Sequence, residues 1–412
     1  MKRVLMIAYH FPPMAGSSGI QRTLRFARYL PEFGWEPVVL TAHPRVYERV
    51  SDDQMADIPD GISVIRAPAW DTSRHLALRG RYPGILARPD RWVSWWLGAM
   101  WSGMGAIRRL KPEALWSTYP IATAHLIGSS LARRTRLPWV ADFRDPMAQD
   151  DYPTDPTIRR SFEKIERKAI VNACFSTFTT PSAVREYKER YPQHAQRISL
   201  LENGYDEETF AGIEAGGAPN PGRITLLHSG IVYPSERDPT KLLEAIRRLR
   251  EEQQGLYEKL VVRFRAPVHD ELLNNLAQQY GVADAIEVLP PTGYRDALRE
   301  MLCADGLLIL QAANCNAQVP AKLYEYLRAG RPLLVLTDPA GDTAKVARDA
   351  GITEIAALDD ANGIADLLSR FIQSPDNRAL PSPDAVASAS RRERTRQLAE
   401  LLNRAVARDQ AA

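Results

Sequence analysis

The chain has 412 residues, too many for one ordinary domain, and its 45% hydrophobic and 25% charged residues suit packed globular domains. Its 53 Lys and Arg against 50 Asp and Glu leave a net charge of +3, too weak to argue for nucleic acid as a partner. Cys174, Cys303 and Cys315 have neither paired nor metal-like spacing, which speaks against a disulfide framework or a metal site and fits a reducing compartment.

The N-terminus, MKRVLMIAYHFPP, has an apolar core too short for a signal peptide and reads as a buried first strand. A proline- and glycine-rich loop follows. Ile20, Leu24, Ala27 and Leu30 then stand at helical spacing, so a helix is predicted over 19–33, ended by Gly34. EPVVLTA and ISVIRAP read as strands. Residues 92–107, WVSWWLGAMWSGMGAI, carry no charge and hold four of the eight tryptophans. The run is shorter than the roughly 20 residues a spanning helix needs. Two readings stay open for it: a helix buried between elements, or an interfacial helix with Arg88, Arg91, Arg108 and Arg109 flanking it, which makes Trp92–Ile107 a peripheral membrane contact.

The series continues with strand ALWSTYP, a helix over 121–135, strand LPWVADF, a helix over 157–172, strand CFSTFTTP, a helix over Ser182–Tyr191 and strand RISLLENGYD. Near-continuous apolar strands alternating with helices indicate a parallel sheet covered on both faces. Residues 212–222, GIEAGGAPNPG, form the linker candidate. The alternation then restarts: RITLLHSG, PTKLLEAIRRLREEQ, KLVVRFRAP, ELLNNLAQQYG, AIEVLPPTG, YRDALREMLCA, GLLILQA, PAKLYEYLRAG and PLLVLTD. The fold class is therefore α/β, two doubly wound parallel-sheet domains facing across a cleft. The domains are 1–211, a linker 212–222, 223–385, and a C-terminal helix within 386–412 that packs back on the first domain.

Ligands bind such sheets beyond the carboxyl ends of the strands, so the loops after strands are where chemistry is expected. In HFPPMAGSSGIQR, Gly16 and Gly19 precede a helix, where glycine permits close approach of a phosphate and the helix start offers free N–H donors. In ADFRDP, Asp142, Arg144 and Asp145 crowd a strand end, an arrangement that perturbs pKa values and also suits a self-contained ion-pair network. In HSGIVYPSERDPTK, the strand ends at Ser229 and Gly230, with Arg237 and Lys241 near the next helix start, cations suited to a pyrophosphate. In PAKLYEYLRAGRP, Pro320 suits a first helical turn, and Lys322 and Glu325 share a face. A carboxylate there can accept from the two hydroxyls of a ribose, and the lysine can meet a phosphate; an exposed Lys–Glu pair is the plainer alternative.

With these motifs in this order, together with LENGYD between the domains, the chain resembles the two-Rossmann-domain (GT-B) glycosyltransferases, specifically the retaining family-four-like group. The resemblance spans nearly the whole chain. It implies a nucleotide-sugar donor bound mainly by the C-terminal domain and an acceptor bound by the N-terminal domain. On it, Arg237 is expected to hold the donor diphosphate with help from Lys322, Glu325 to bind the ribose, and Gly16 to approach donor phosphate and sugar. These enzymes need no metal or other cofactor, and cationic side chains support the leaving diphosphate instead. Three positions depart from the family pattern: Ala317 where many relatives have a first glutamate, Ile231 where many have a basic residue, and Arg144 where a histidine is expected.

The expected function is transfer of a sugar to a glycan or lipid-linked glycan acceptor in surface polysaccharide or glycolipid assembly, with retention of configuration, in the cytoplasm at the inner face of the membrane. Asp142, Arg144 and Asp145 are the expected catalytic group. Gly16, Gly19, Ser229, Gly230, Arg237, Lys241, Lys322 and Glu325 are expected at the donor. Two other functions share the fold: a non-hydrolysing nucleotide-sugar epimerase, and a nucleotide-binding partner without turnover in a glycan-synthesis complex.

Overall fold

The structure is a computed structural model that describes residues 1–17, 19–149, 152–374 and 378–410. It divides into two compact units, Met1–Asn203 with Arg391–Ala412, and Gly204–Ser390. The expected linker 212–222 therefore lies inside the second unit. The chain joins that unit earlier because Tyr205, Phe210 and Ile213 pack with Leu298, Met301 and Leu323. The last two residues of the expected C-terminal helix, Ala411 and Ala412, and residues 375–377 of the expected C-terminal domain lie outside the described residues, as do Ser18 in the first loop and Asp150–Asp151 after ADFRDP.

The first unit holds seven parallel strands, β1 (Lys2–Ile7), β2 (Trp35–Ala42), β3 (Ser63–Ala67), β4 (Ala114–Thr118), β5 (Trp139–Arg144), β6 (Phe175–Phe178) and β7 (Ile198–Leu200), in the order β3-β2-β1-β4-β5-β6-β7. Its main helices are α1 (Gly19–Tyr29), α2 (Trp95–Leu110), α3 (Ala122–Thr135), α4 (Pro156–Asn172) and α5 (Pro181–Arg190). A period of two splits β1 between two cores: Leu5 and Ile7 pack on one face with residues of α2, α3 and α4, while Val4 and Met6 pack on the other with α1. The C-terminal helix Arg391–Gln410 closes that second face with Leu398, Leu402 and Ala405. Arg394 donates to Glu202 at 2.6 Å and Arg392 to Glu32 at 2.6 Å, tying the helix to the chain leaving β7 and to the turn after α1.

The helix predicted over 19–33 is α1 followed by a tighter turn over Leu30–Phe33, and Gly34 ends it with φ +83°. The tryptophan-rich helix takes a form between the two readings open for it. Trp95, Ala99, Met100, Gly103 and Ala106 are buried, while Leu97 and Trp101 are exposed on the other side. Among the described residues no helix is long and apolar enough to cross a membrane.

The second unit holds β8 (Ile224–Ser229), β9 (Leu260–Arg265), β10 (Ile286–Leu289), β11 (Gly306–Leu310), β12 (Leu333–Leu336) and β13 (Ile355–Ala356), all parallel, in the order β10-β9-β8-β11-β12-β13. Its main helices are α6 (Thr240–Glu252), α7 (Asp270–Gln279), α8 (Tyr294–Cys303), α9 (Lys322–Ala329), α10 (Asp342–Asp349) and α11 (Ala361–Gln373). Again one strand feeds two cores: Leu308 and Leu310 of β11 pack on one face, Leu307 and Ile309 on the other. Strand order reverses between β1 and β4 and between β8 and β11, the places where sheets of this kind leave a crevice for a ligand.

Candidate functional site

In the first unit, the chain leaves β1 through Tyr9 and His10, and returns to start α1 at Gly19. Gly16 sits in that loop at φ +80°, a conformation that side chains resist. Gly19 is required for a different reason. A Cβ there would lie 2.6 Å from His10 Nδ1 and 2.8 Å from an Arg144 guanidinium nitrogen. Ser17 Oγ pairs with His10 Nδ1 at 3.0 Å and accepts from the Gly19 N–H at 3.2 Å. His10, Ser17, Gly19 and Arg144 thus form one polar cluster over the ends of β1 and β5. Burial, and then the Arg144 charge, hold the His10 imidazole down at about 4, so it is neutral at pH 7.

ADFRDP separates into two environments. Asp142 is fully buried and its carboxylate is saturated: Arg22 reaches it with two nitrogens at 2.8 and 2.9 Å, Thr118 at 2.9 Å and Thr177 at 2.8 Å. Arg22 also donates to the carbonyls of Leu201 and Glu202. This network ties α1, β4, β5, β6 and the exit from β7 together. The expected catalytic role for Asp142 is corrected accordingly: it has no exposed edge to offer a substrate, and it is a structural anchor. Burial opposes the charge, but Arg22 and the hydroxyls hold its carboxyl below the usual range.

At Arg144 the sheet register shifts and the backbone turns left-handed, φ +63°. Such strain in a non-glycine residue concentrates at functional sites. The guanidinium donates to the Tyr119 carbonyl at 3.4 Å, and its buried Nε has no partner among the described residues. The irregularity turns the next carboxylate, Asp145, outward to solvent, where Thr179 touches it at 3.4 Å.

In the second unit, β8 ends at His228, Ser229 and Gly230. His228 is fully buried and its Nδ1 bonds the Leu308 carbonyl at 2.9 Å. A carbonyl only accepts, so the ring proton sits on Nδ1, and Nε2 is left to accept from Lys322 Nζ at 3.1 Å. The lysine lies over Gly230, where a Cβ would stand 3.0 Å from Nζ; the φ of +112° at Gly230 excludes other residues as well. Burial, then the nearby Arg237, lower the Lys322 ammonium to about 7, with Glu325 acting in the opposite direction. Burial and then Lys322 keep His228 neutral.

Arg237 donates to the Ile231 carbonyl at 2.7 Å and lies over the Tyr233 ring. It pairs with neither Glu236 nor Asp238 among the described residues, and Asp238 instead takes the Thr240 N–H and hydroxyl at the start of α6. Glu325, partly buried on the first turn of α9, accepts from Tyr294 Oη at 2.9 Å. Tyr326 is buried and accepts the Ser229 N–H at 2.8 Å, which pins α9 to the end of β8. Arg237, Lys322, Glu325, Ser229 and Gly230 are therefore drawn into one neighbourhood. Lys241 is not: it is exposed and paired with Glu244 at 2.8 Å one turn along α6, and its expected donor contact is corrected to a surface ion pair.

Residues 18–204 match the family model of the glycosyl transferase 4-like domain, which covers nearly all of the first unit's main segment. The chain carries a glycosyl transferase 4-like domain. Its two-sheet fold is that of the GT-B glycosyltransferases. The chain resembles a glycosyltransferase from Rickettsia africae ESF-5 at a TM-score of 0.65 with 11% identity, covering 98% of each chain. It resembles the α,α-trehalose 6-phosphate synthase of Burkholderia multivorans at 0.64 with 11% identity, covering 100% of this chain and 98% of the other. A UDP-N-acetylglucosamine 2-epimerase from Listeria monocytogenes, itself so named only provisionally, shares the fold at 0.55 with 12% identity, covering 96% and 94%. No curated protein matches the sequence.

Four residues of these clusters escaped the sequence reading of site residues. His10 follows β1 and His228 stands near the end of β8, the first strand of each sheet in the chain, positions that could have marked them. Tyr294 starts α8, and only the packing of α8 near α9 brings it to Glu325. Arg22 lies one helical turn into α1 with no neighbouring acid in sequence, 120 residues from Asp142.

Proposed function

We propose that the chain transfers a sugar, with retention of configuration, from a nucleotide-sugar donor to a glycan or lipid-linked glycan acceptor. The setting we propose is surface polysaccharide or glycolipid assembly at the inner face of the cytoplasmic membrane. The observation that carries the donor half is the second unit's cation pair. Lys322, held by His228 over Gly230, and Arg237, held by the Ile231 carbonyl, converge beside the carboxylate of Glu325. In this reading the two cations hold the diphosphate and stabilise the negative charge that grows on it as the glycosidic bond breaks, the part a divalent ion plays elsewhere. Glu325 accepts from the ribose hydroxyls, with Tyr294 fixing its orientation. In the first unit, Asp145 is the carboxylate assigned to the acceptor, and His10 and Arg144 line the approach beside Gly19. Gly16 supplies the backbone turn.

The test is a thermal-shift panel of nucleoside diphosphates, CMP and the matching nucleotide sugars. A ligand at about a hundred times its dissociation constant adds roughly 2.7 kcal/mol of stability. One base class shifting the melt, with the shift lost in Glu325→Ala, supports the donor site. A panel with no shift overturns it. Conversion of a free nucleotide sugar without acceptor would point to the epimerase reading instead.

A further inference from the structure

We propose that the first unit docks on anionic lipid through one surface, made by the loop 76–88 and the outer face of α2. This deepens the membrane location proposed above, and it stands or falls separately from donor binding. In the loop Leu78 is 80% exposed and Ile85 72%, with Leu76, Tyr82 and Leu86 also exposed; on the helix Trp101 is 78% exposed and Leu97 64%. Large exposed apolar groups drawn together mark an interaction surface.

The loop and the helix are fastened to each other. Ser94, at the start of α2, accepts the Trp70 N–H at 2.8 Å and donates to the Trp70 carbonyl at 2.7 Å. A Cβ on Gly98 would lie 1.9 Å from the Pro68 carbonyl oxygen, so the chain entering the loop runs directly against the helix. Thr72 donates through its N–H to the Arg91 carbonyl at 2.8 Å and through its hydroxyl to the Leu86 carbonyl at 2.5 Å, which folds the loop back on itself. Its tip is a tight turn. Leu78 and Arg81 exchange backbone hydrogen bonds at 2.9 and 3.1 Å across Arg79 and Gly80, both at positive φ. The tip thus sets Leu78 next to Arg79 and across the turn from Arg81. On α2 the exposed positions run Leu97, Trp101, Gly105, Arg108 and Arg109, an apolar stripe that ends in cations.

Charge selects the occupant. Residues 72–112 carry seven arginines and Lys111 against one acid, Asp90, while the whole chain is only +3. Asp90 is spent inward on the Thr123 N–H and hydroxyl at 2.9 Å. Arg79, Arg81, Arg108 and Arg109 have no acidic partner among the described residues. Apolar side chains rimmed by unpaired arginines suit the interface of a bilayer with negative headgroups, where tryptophan and arginine both sit at headgroup depth. A protein partner or a second copy of this chain would need matching acids for these cations.

The experiment is co-sedimentation of the full chain with phosphatidylglycerol-containing vesicles and with phosphatidylcholine vesicles. Wild type is expected to partition onto the anionic vesicles, and to be released as ionic strength rises toward 0.5 M, about three times the physiological value. Ile85→Ser/Trp101→Ser and Arg79→Glu/Arg81→Glu are each expected to lower partitioning by about tenfold or more while leaving the melting temperature unchanged, since all four side chains are exposed. Absence of binding to anionic vesicles overturns the proposal. So does binding that survives both double variants, or self-association lost in Ile85→Ser/Trp101→Ser without vesicle binding.

Discussion

Lys322 makes donor affinity depend on pH in a direction that can be worked out. Its ammonium is lowered to about 7 in the ligand-free fold, first by burial and then by Arg237. With that value about half of the molecules carry the charge at pH 7 and about one in a hundred at pH 9. A bound diphosphate restores the charge, so binding near pH 8 takes up close to one proton. If the charged form is the one that binds, affinity falls about fiftyfold between pH 7 and 9, or about 2.3 kcal/mol. The same depression acts on folding: between pH 7 and the unfolded value of 10.5 the unfolded chain holds the extra proton, so ligand-free stability rises with pH in that window. The assay is calorimetry with the nucleoside diphosphate chosen by the melting panel, in two buffers of different ionisation enthalpy. It is run from pH 7.5 upward so that the free nucleotide's own terminal phosphate does not titrate. Lys322→Met should bind weakly at every pH and without proton uptake. An affinity that is flat from pH 7.5 to 9.5, or a slope that persists in Lys322→Met, refutes the reasoning.

Asp142→Asn leaves the Arg22 guanidinium buried against a neutral group, and should cost about 3–5 kcal/mol in denaturant unfolding. Because the Asp142 carboxyl is held below its usual 3.8, its contribution is present above that pH and is lost as pH falls below it; wild type should lose stability there and the variant should not. Gly19→Ala forces a methyl to within 2.6 Å of His10 Nδ1 and should lower transfer activity sharply while the nucleotide-induced melting shift of the second unit remains. Tyr326→Phe strands the Ser229 N–H and should destabilise the fold by about 1–3 kcal/mol in chemical denaturation, with weaker donor binding as α9 loosens from β8.

Most of the element order was legible in the chain, because apolar spacing of two or three-to-four is a local property and both sheets bury their strands on two faces. RITLLHSG, KLVVRFRAP and GLLILQA each became a strand within a residue or two of expectation. The convergence of Ser229, Gly230, Arg237, Lys322 and Glu325 was legible too, since β8 and β11 are neighbours and the loop after the first lies close to the helix that follows the second. What sequence spacing could not decide is which charge meets which partner. Asp142 and Asp145 are three residues apart; a register shift at Arg144 sends one into a saturated buried network and the other to solvent. Lys241 and Lys322 both stand near helix starts, yet a glutamate one turn away neutralises the first and a histidine 94 residues away holds the second. The division of the chain at Gly204 rather than at the glycine-rich 212–222 was likewise settled by Tyr205, Phe210 and Ile213 finding a core in the second unit. Local periodicity determined the strands and helices of this protein. The roles of its charges came from contacts between residues far apart in the chain, which exist only once the sheets have formed.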